Sequence, residues 1–359
     1  MIAVLGSAHY YIWLRFVSAP RLPSPWHLVA TLAIICLAPS LPVAALTLRR
    51  LPRAQAAPLS KVVFMWFGIA VYLLLAAALG NLACAIVPIG ARTAALAGII
   101  GVALTVLYGL VHLARGPRVK RVGVPIAKLP AAAEGYTIVQ LTDVHVGTSL
   151  GREFVTSVVK QVMALDADLI VITGDLIDGR LSDLGPHVEP LRDLHARDGV
   201  FAVTGNHEYY WNADAWIAHL GSLGVRFLRN EHVTIARGFE LAGVDDSSAA
   251  SMAAGHGEDI PRALAGRDPA LPIVLLAHHP RTITRAVAAG CDLQLSGHTH
   301  GGQLLPLGWL ARLFEPAVAG LARFGATWLY VSEGTGFWGP PLRVGTTSEI
   351  TLITLQRAT

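Results

Sequence analysis

The first 133 residues of this 359-residue chain contain no aspartate or glutamate, so all 24 acidic residues lie from Glu134 onward. The same stretch contains 12 of the 28 Lys and Arg residues, which makes its formal charge +12 and that of residues 134–359 −8. This asymmetry indicates a basic membrane region followed by an acidic globular domain. The pI of 9.1 therefore does not indicate nucleic-acid binding, and no nucleic-acid partner is expected.

Cysteine is also scarce, because the chain has only three. Three cysteines cannot form a disulfide framework. Cys36 and Cys84 lie inside apolar runs and Cys291 stands alone in the polar half, so we expect all three to be small buried residues. A basic segment before the first apolar stretch is missing as well, which argues against a cleaved signal peptide.

Long apolar runs without an internal charge occupy much of residues 1–116, which we interpret as an all-α transmembrane region of three to four helices. About 20 apolar residues of helix cross a bilayer core. Residues 26–48, 62–88 and 93–114 each meet this requirement. The first 17 residues are apolar but short, so they are compatible with a fourth span, an interfacial helix or a signal segment.

The basic residues beside these runs predict the orientation of the spans. The loop 49–61 carries four of them and the segment 115–128 carries five, whereas only Arg92 lies between the last two runs. Because basic loops stay in the cytoplasm, we expect the C-terminal half to be cytoplasmic, at a bacterial inner membrane. Residues 117–135 are expected to be a basic juxtamembrane linker, whose charges either attract anionic lipid or only fix the topology.

From residue 136 onward, apolar strands that end in polar residues alternate with amphipathic helices, which predicts an α/β domain over 136–359. The predicted strands 136–141, 168–173 and 200–204 are each followed by a polar cluster. These clusters are Thr142-Asp143-Val144-His145, Gly174-Asp175-Leu176-Ile177-Asp178 and Gly205-Asn206-His207-Glu208. Since open α/β sheets place ligands at the carboxyl ends of strands, we expect these side chains to converge on one rim.

Two later strands, predicted at 272–277 and 292–296, end in histidines. The first is followed by His278-His279-Pro280 and the second by Gly297-His298-Thr299-His300. Imidazole is a common ligand of Zn, Mn and Fe. Each cluster alone is equally compatible with a turn or a helix cap, but five of them in this order form a specific fingerprint.

The ordered motifs D-x-H, G-D-x-x-D, G-N-H-E, H-x-P and G-H-x-H resemble those of the calcineurin-like metallophosphoesterase superfamily, in particular its membrane-associated bacterial branch. The resemblance covers about residues 134–359 and implies a four-layer α/β/β/α sandwich. It also implies two divalent transition-metal ions, drawn from Mn, Fe, Zn and Co. The implied ligands of the first ion are Asp143, His145, Asp175 and His300. Those of the second are Asp175, Asn206, His278 and His298. His207 would be a non-ligand histidine that faces the leaving group.

The resemblance implies a phosphohydrolase, most specifically a phosphodiesterase or pyrophosphatase that uses metal-activated hydroxide. Arg152, Arg180 and Arg343 are candidates for contact with the substrate phosphate. Analogy to family members of similar layout, including an enzyme of lipid A synthesis, favours a lipid-linked or nucleotide-sugar phosphoester. The alternatives are a phosphodiesterase for soluble nucleotide or cell-wall diesters, and a non-enzymatic membrane protein with a structural or regulatory metal site. The sequence does not indicate an oligomeric state.

Several residues near these motifs have two interpretations. Asp178 and Glu208 either orient the imidazoles and metal-bound water or are solvated carboxylates. His279 is expected to be a packed or exposed neighbour of His278 rather than a ligand. The aromatic segments 308–324 and 336–341 are either core or an apolar lip beside the metals that touches lipid or an acyl chain.

Overall fold

The computed structural model describes residues 2–358, except for the side chains of Ile2 and Arg49. The chain forms two compact units. One contains Met1–Arg115 and Gly339–Val344, and the other contains Gly116–Trp338 and Gly345–Thr359. The first is the helical unit and the second is the α/β unit.

The helical unit consists of apolar helices. They are α1 (Ile2–Trp13), which continues into a π-helical turn (Leu14–Ser18), α2 (Trp26–Leu37), α3 (Ser40–Thr47), α4 (Arg53–Ile86) and α5 (Ala91–Ala114). Within the described residues, three stretches are long and apolar enough to cross a membrane, and they match the three predicted runs: Trp26–Thr47, Arg53–Ile86 and Ala91–Ala114. Residues 2–18 are helical but do not form a fourth such stretch.

Residues 339–344 pack within the helical unit. Leu342 lies so close to Gly68 of α4 that a Cβ atom on this glycine would come within 2.8 Å of the Leu342 Cδ1 atom. A Cβ on Gly109 of α5 would meet Val344 Cγ2 at 3.0 Å. Glycine at these two positions therefore lets the segment approach the helices closely.

Two six-stranded sheets form the centre of the α/β unit. The strands are β1 (Arg118–Ile126), β2 (Thr137–Leu141), β3 (Leu169–Thr173), β4 (Val200–Val203), β5 (Arg226–Phe227), β6 (Glu231–Ile235), β7 (Phe239–Gly243), β8 (Ile273–Leu276), β9 (Leu293–Ser296), β10 (Gly320–Phe324), β11 (Thr327–Val331) and β12 (Glu349–Arg357). The first sheet has the order β1-β12-β2-β3-β4-β5 and the second β10-β11-β9-β8-β7-β6. The helices are α6 (Arg152–Met163), α7 (Leu181–Val188), α8 (Asn206–Tyr210), α9 (Ala213–Ser222), α10 (Ile260–Ala263), α11 (Ile283–Ala288) and α12 (Leu307–Ala311).

Alternation of side chains along the strands divides the core into three layers of apolar contact. On β2, Val139 packs with helices α6 and α9 in one cluster, whereas Ile138 packs in the cluster between the two sheets. A third cluster joins Leu275 of β8 to Ile283 of α11 on the outer face of the second sheet. The predicted four-layer α/β/β/α sandwich is confirmed.

The segment 117–135, predicted to be a linker, contains strand β1, which pairs in parallel with β12. Val124 and Ile126 are buried at the end of this strand, whereas Arg118 and Arg121 are exposed. Basic side chains suit an edge strand because they discourage pairing with a further chain. The period-two spacing of Val122, Val124 and Ile126 was the signal for a strand that composition alone did not reveal.

Strands β2, β3 and β4 are mutually parallel, and so are β7, β8, β9 and β11. The five polar motifs follow β2, β3, β4, β8 and β9 at their carboxyl ends. The two sheets therefore bring these motifs together at one rim of the sandwich.

Candidate metal centre

The predicted ligands of the first ion form one compact group. The Nε2 atom of His300 lies 3.4 Å from Asp143 Oδ1 and 3.1 Å from His145 Nε2. His145 Nε2 in turn lies 3.8 Å from Asp175 Oδ2. Four donor atoms from three loops thus face one small volume.

The second predicted group shares Asp175 with the first. His278 Nε2 lies 3.2 Å from Asp175 Oδ2 and 3.3 Å from His298 Nδ1. The Nδ1 atom of His278 lies 2.8 Å from the carbonyl oxygen of Thr173, to which it is suited to donate. That bond leaves the Nε2 atom of His278 directed at the group.

Asn206, the remaining predicted ligand, opens α8 directly after β4. Its side chain is 8% exposed, and its Nδ2 donates to the Tyr210 hydroxyl at 3.2 Å. Its Oδ1 is buried with no hydrogen-bond partner among the described residues. A buried amide oxygen without a donor is costly, and a hard cation is a suitable partner for it.

Five of the predicted ligands have backbone conformations that non-glycine residues rarely adopt. Each has a positive φ, between 49° and 71°: Asp143, His145, Asp175, His298 and His300. Such conformations cost about 1–3 kcal/mol each and persist where the surrounding structure imposes them. Because these five residues lie at one rim, we infer that packing of the loops, rather than the backbone preference of each residue, sets the directions of their side chains.

Two motif glycines allow the loops to approach each other. A Cβ atom on Gly205 would lie 2.6 Å from the backbone nitrogen of Asp175, and one on Gly297 would lie 2.9 Å from Thr142 Cβ. No side chain fits at either position. The glycines of the G-N-H-E and G-H-x-H motifs are thus explained by packing against the loops that carry Asp143 and Asp175.

Glu208 connects the loops that follow β3 and β4 through hydrogen bonds to their backbone nitrogens. Its carboxylate accepts hydrogen bonds from the backbone nitrogens of Gly205 (2.7 Å), Leu176 (2.8 Å) and Asp175 (3.0 Å). The side chain is 1% exposed, so it is not a solvated carboxylate. Burial and the nearby Asp175 raise the pKa of Glu208 to about 7.

Burial keeps two of the predicted ligands in the neutral imidazole form. Burial and the neighbouring His207 lower the pKa of His145 to about 3. Burial and the neighbouring His278 likewise lower the pKa of His298 to about 2. Neutral imidazole has the free lone pair that a metal requires.

Asp175 and His278 behave differently because they form a close pair. Burial opposes ionisation of Asp175, but His278 and His207 hold the pKa of this carboxyl well below its ordinary value. Burial would also lower the pKa of His278, yet Asp175 raises it well above its ordinary value. The pair places a carboxylate at the point where the two groups of donors meet.

His207 lies beside the donor groups with its ring held by Asp178. Its Nδ1 is 3.0 Å from Asp178 Oδ1, and the indole of Trp211 donates to the same oxygen at 3.0 Å. Its Nε2 is 3.9 Å from Asp175 Oδ2. Burial opposes protonation, but Asp175 and Asp178 raise the pKa of His207 to about 9.

A second carboxylate–histidine pair, formed by Asp246 and His279, packs against His298. The ring centroid of His279 lies 3.7 Å from that of His298, with the two ring planes tilted by 45°, and the Nε2 atom of His279 lies 3.2 Å from Asp246 Oδ2. His279 packs against His298, and His278, His279 and His298 together bring three donor atoms within 4.8 Å of one another. That His279 is not a ligand therefore stays a prediction. The sequence offered no signal for Asp246, which lies 33 residues before His279.

The three arginines proposed for substrate contact do not lie in the donor groups. Arg152 donates to the carbonyl oxygen of Pro186 at 2.7 Å, and Arg180 is an exposed residue that precedes α7. Arg343 lies in the segment that belongs to the helical unit, where its side chain is fully buried and its backbone nitrogen donates to Gly109 at 3.4 Å. The contact of these residues with phosphate stays a prediction.

Comparison with known proteins identifies a family and several relatives of this chain. The profile of the calcineurin-like phosphoesterase family matches residues 136–302. A zebrafish "Transmembrane protein with metallophosphoesterase domain" is 41% identical over 278 residues, which cover 74% of this chain and 63% of that protein. An "Uncharacterized metallophosphoesterase" of Helicobacter pylori is 38% identical over 241 residues, 67% of this chain and 64% of that protein. One of Aquifex aeolicus is 34% identical over 242 residues, 67% of this chain and 92% of that protein. The match thus spans just under two thirds of the first two relatives.

Proposed function

Because this chain belongs to the calcineurin-like metallophosphoesterase family, whose members are phosphoric ester hydrolases and normally use a dinuclear metal centre, we propose that it is a membrane-anchored phosphodiesterase or pyrophosphatase. The observation that carries this proposal is the pair of donor groups that meet at Asp175. The Asp175 Oδ2 atom is 3.8 Å from His145 Nε2 on one side and 3.2 Å from His278 Nε2 on the other. One carboxylate is therefore available to two cations.

The residues of the rim fit two divalent ions. Asp143, His145, Asp175 and His300 would hold the first, and Asp175, Asn206, His278 and His298 the second. The donors are carboxylate oxygens, imidazole nitrogens and one amide oxygen without a thiolate, which suits Mn, Fe, Zn or Co. When bound, such ions supply Lewis acidity to the phosphoryl group and acidify water. The buried Asn206 Oδ1 is the clearest support, because it has no other partner among the described residues.

His207 is the residue that we assign to proton transfer. Its Nδ1 interacts with Asp178, which orients the ring and leaves Nε2 on the side of Asp175. The pKa of about 9 favours the protonated form, which is able to donate a proton to the departing oxygen of an ester. Bound cations would oppose that protonation by electrostatic repulsion, so Asp178 is important as a counter-charge.

A lipid-linked or nucleotide-sugar phosphoester is the substrate class that we favour. Three helices of the same chain are long and apolar enough to cross a membrane, and a relative is described as a transmembrane protein. Soluble nucleotide or cell-wall diesters are the second candidate class. A panel of phospholipid, nucleotide-sugar and cyclic-nucleotide diesters, assayed with the full chain and with Asp175→Asn, tests the choice. Turnover of only the water-soluble diesters would reject the favoured class.

We propose further that the α/β unit lies in the cytoplasm, at a bacterial inner membrane. The support is that the basic residues of segment 49–61 lie before and within the start of α4 and those of segment 115–128 follow α5, so two successive spans place both segments on the same side. A C-terminal fusion to a reporter that is active only outside the cytoplasm is expected to be inactive. An active fusion would reverse the orientation and remove cytoplasmic nucleotide-sugars from the substrate candidates.

A non-enzymatic protein with a structural metal is the opposing proposal. It predicts tight metal binding without turnover of any ester. The His207–Asp178 pair argues against it, because neither residue is needed to hold a metal and both lie within the site. Inactivity of the wild-type chain with every candidate metal, at full metal occupancy, would favour this alternative.

A further inference from the structure

An exposed apolar segment follows the G-H-x-H loop. In residues 307–314, which comprise α12 and the turn after it, four large side chains are more than half exposed: Trp309 (62%), Leu310 (55%), Leu313 (73%) and Phe314 (71%). Isolated exposed apolar residues are ordinary, but four within six positions form a patch that normally marks an interaction surface.

The 307–314 segment contacts the ligand loop directly. A Cβ atom on Gly308 would lie 2.9 Å from the carbonyl oxygen of Gly301, the residue next to the predicted ligand His300. Glu315, which follows the segment, is paired with Arg281 at 3.0 Å, so its charge is compensated. The exposed surface is therefore apolar apart from Arg312.

The topology of the first sheet determines at which rim of the sandwich the chain enters after α5. Strand β1 begins at Arg118, which pairs with Glu349 at the amino end of β12. Two residues further along β12, Thr351 pairs with Gln140 near the carboxyl end of β2. The amino end of β1 thus lies at the rim that carries Asp143 and His145. The chain therefore enters the α/β unit at the rim of the predicted metal centre.

The stretch of chain between α5 and β1 is short. Helix α5, an apolar helix long enough to cross a membrane, ends at Ala114, and β1 begins at Arg118. The three residues between them allow at most about 14 Å between the Cα atoms of Ala114 and Arg118. The end of β1 that follows α5 along the chain is therefore the end that lies at the rim of the predicted metal centre.

From this arrangement we infer that the metal-site rim faces the bilayer and that the 307–314 segment inserts into the membrane interface. Tryptophan together with large apolar side chains and a basic residue is the composition of interfacial segments. Arg312 is then available to pair with lipid phosphates. The site would receive phosphoesters at the membrane surface rather than from bulk solution. This inference deepens the proposed function, but the surface itself does not depend on turnover.

Depth-dependent quenching tests the insertion in the full chain, reconstituted in nanodiscs of phosphatidylcholine and phosphatidylglycerol. The expectation that all three cysteines are buried is wrong for two of them, since Cys36 is exposed and Cys84 is half-buried, so both are replaced by alanine. Cys291 is buried and burial raises its pKa to about 12, so it will not be labelled. An environment-sensitive fluorophore is attached at Leu313→Cys. The matched control is Ser222→Cys, an exposed residue at the end of α9, just before the amino end of β5 and hence toward the opposite rim.

We expect spin-labelled lipid to quench the Leu313→Cys probe at least about threefold more than the Ser222→Cys probe. Equal quenching of the two probes, or stronger quenching at Ser222→Cys, would overturn the inference. A probe at Leu313→Cys that is shielded from an aqueous quencher but is not quenched by spin-labelled lipid would also overturn it, because a second protein copy would then cover the patch.

A second measurement separates this surface from the catalytic proposal. Phe314→Ser and Leu310→Ser remove exposed side chains, so the fold and the hydrolysis of a small water-soluble diester should be retained. In these variants, turnover of a diester embedded in nanodiscs is expected to fall at least about tenfold more, relative to the wild type, than turnover of the soluble diester. An equal effect on both substrates would contradict membrane docking. Absence of all turnover would reject the catalytic proposal while the quenching result still decides the surface.

Discussion

The carboxylate of Asp175 lies 3.2 Å, from Oδ2 to Nε2, from the imidazole of His278, and both residues are at most 2% exposed. The second oxygen of Asp175 accepts a hydrogen bond from the backbone nitrogen of His207 at 2.8 Å. One oxygen is thus held by the protein, and the other faces the two donor groups. This arrangement makes Asp175 the residue on which the predicted metal centre depends.

The two histidines of the G-H-x-H motif are expected to serve different ions. His300 lies against Asp143 and His145, whereas His298 lies against His278. His298→Ala and His300→Ala should therefore each lower the metal content from about two ions per chain to about one. Metal analysis of the purified variants measures this, and Mn²⁺ spin coupling should disappear in both. His279→Ala is the control that should keep both ions, and loss of an ion in that variant would assign His279 as a ligand.

Glu208 should contribute to stability rather than to the chemical step. Glu208→Ala would leave the buried backbone nitrogens of Gly205, Asp175 and Leu176 without their acceptor. Since each unsatisfied buried group costs about 1–3 kcal/mol, the free energy of unfolding should fall by at least about 3 kcal/mol. Denaturant unfolding in detergent measures this. The exposed Glu231→Ala is the control, and a similar effect of both changes would argue against the role of Glu208.

The motif glycines should not tolerate alanine. Gly205→Ala and Gly297→Ala place a Cβ within 3 Å of the loops that carry Asp175 and Asp143, so at least one loop has to move. Because metal sites require donor positions within a few tenths of an ångström, we expect metal affinity to fall at least about tenfold. Gly221→Ala in α9 meets no atom within 4 Å and is the control. Unchanged metal titrations for the first two variants would show that the packing argument is wrong.

Asp178 should affect catalysis through His207. Asp178→Asn keeps the shape but removes the charge that favours protonated His207. We expect kcat for an ester with a poor leaving group to fall about 10- to 100-fold, with a smaller effect on a p-nitrophenyl ester, whose leaving group needs no proton. Metal content should be unchanged. Equal losses for the two esters would indicate that Asp178 only supports the structure.

Most of the fold and of the donor set was predictable because both depend on local patterns. Apolar runs followed by Asp143, Asp175 or His278 mark strand ends, and the parallel topology of an α/β sheet brings strand ends together. The apolar helices were equally visible from length and hydropathy. Strand β1 was missed because only two of its nine residues are buried, so its basic residues resembled those of a linker.

Other features of the site required the structure because they depend on tertiary contacts. The Asp246–His279 pair joins residues from separate loops, and no spacing rule connects them. The positive φ angles of Asp143 and His300 are imposed by loop packing rather than by residue type. Glu208 was ambiguous in the sequence, since a carboxylate beside a histidine is compatible with both a buried and a solvated position.

Hydrolysis of bis-p-nitrophenyl phosphate by the purified full chain tests the central claim most directly. With Mn²⁺ at saturating occupancy, the wild-type chain is expected to hydrolyse this diester, and chelation should abolish turnover. Asp175→Ala should lower kcat/KM at least about a thousandfold, because it removes the donor common to both groups. Equal rates for wild type and Asp175→Ala, or no turnover by a wild-type chain that binds two ions, would contradict the account.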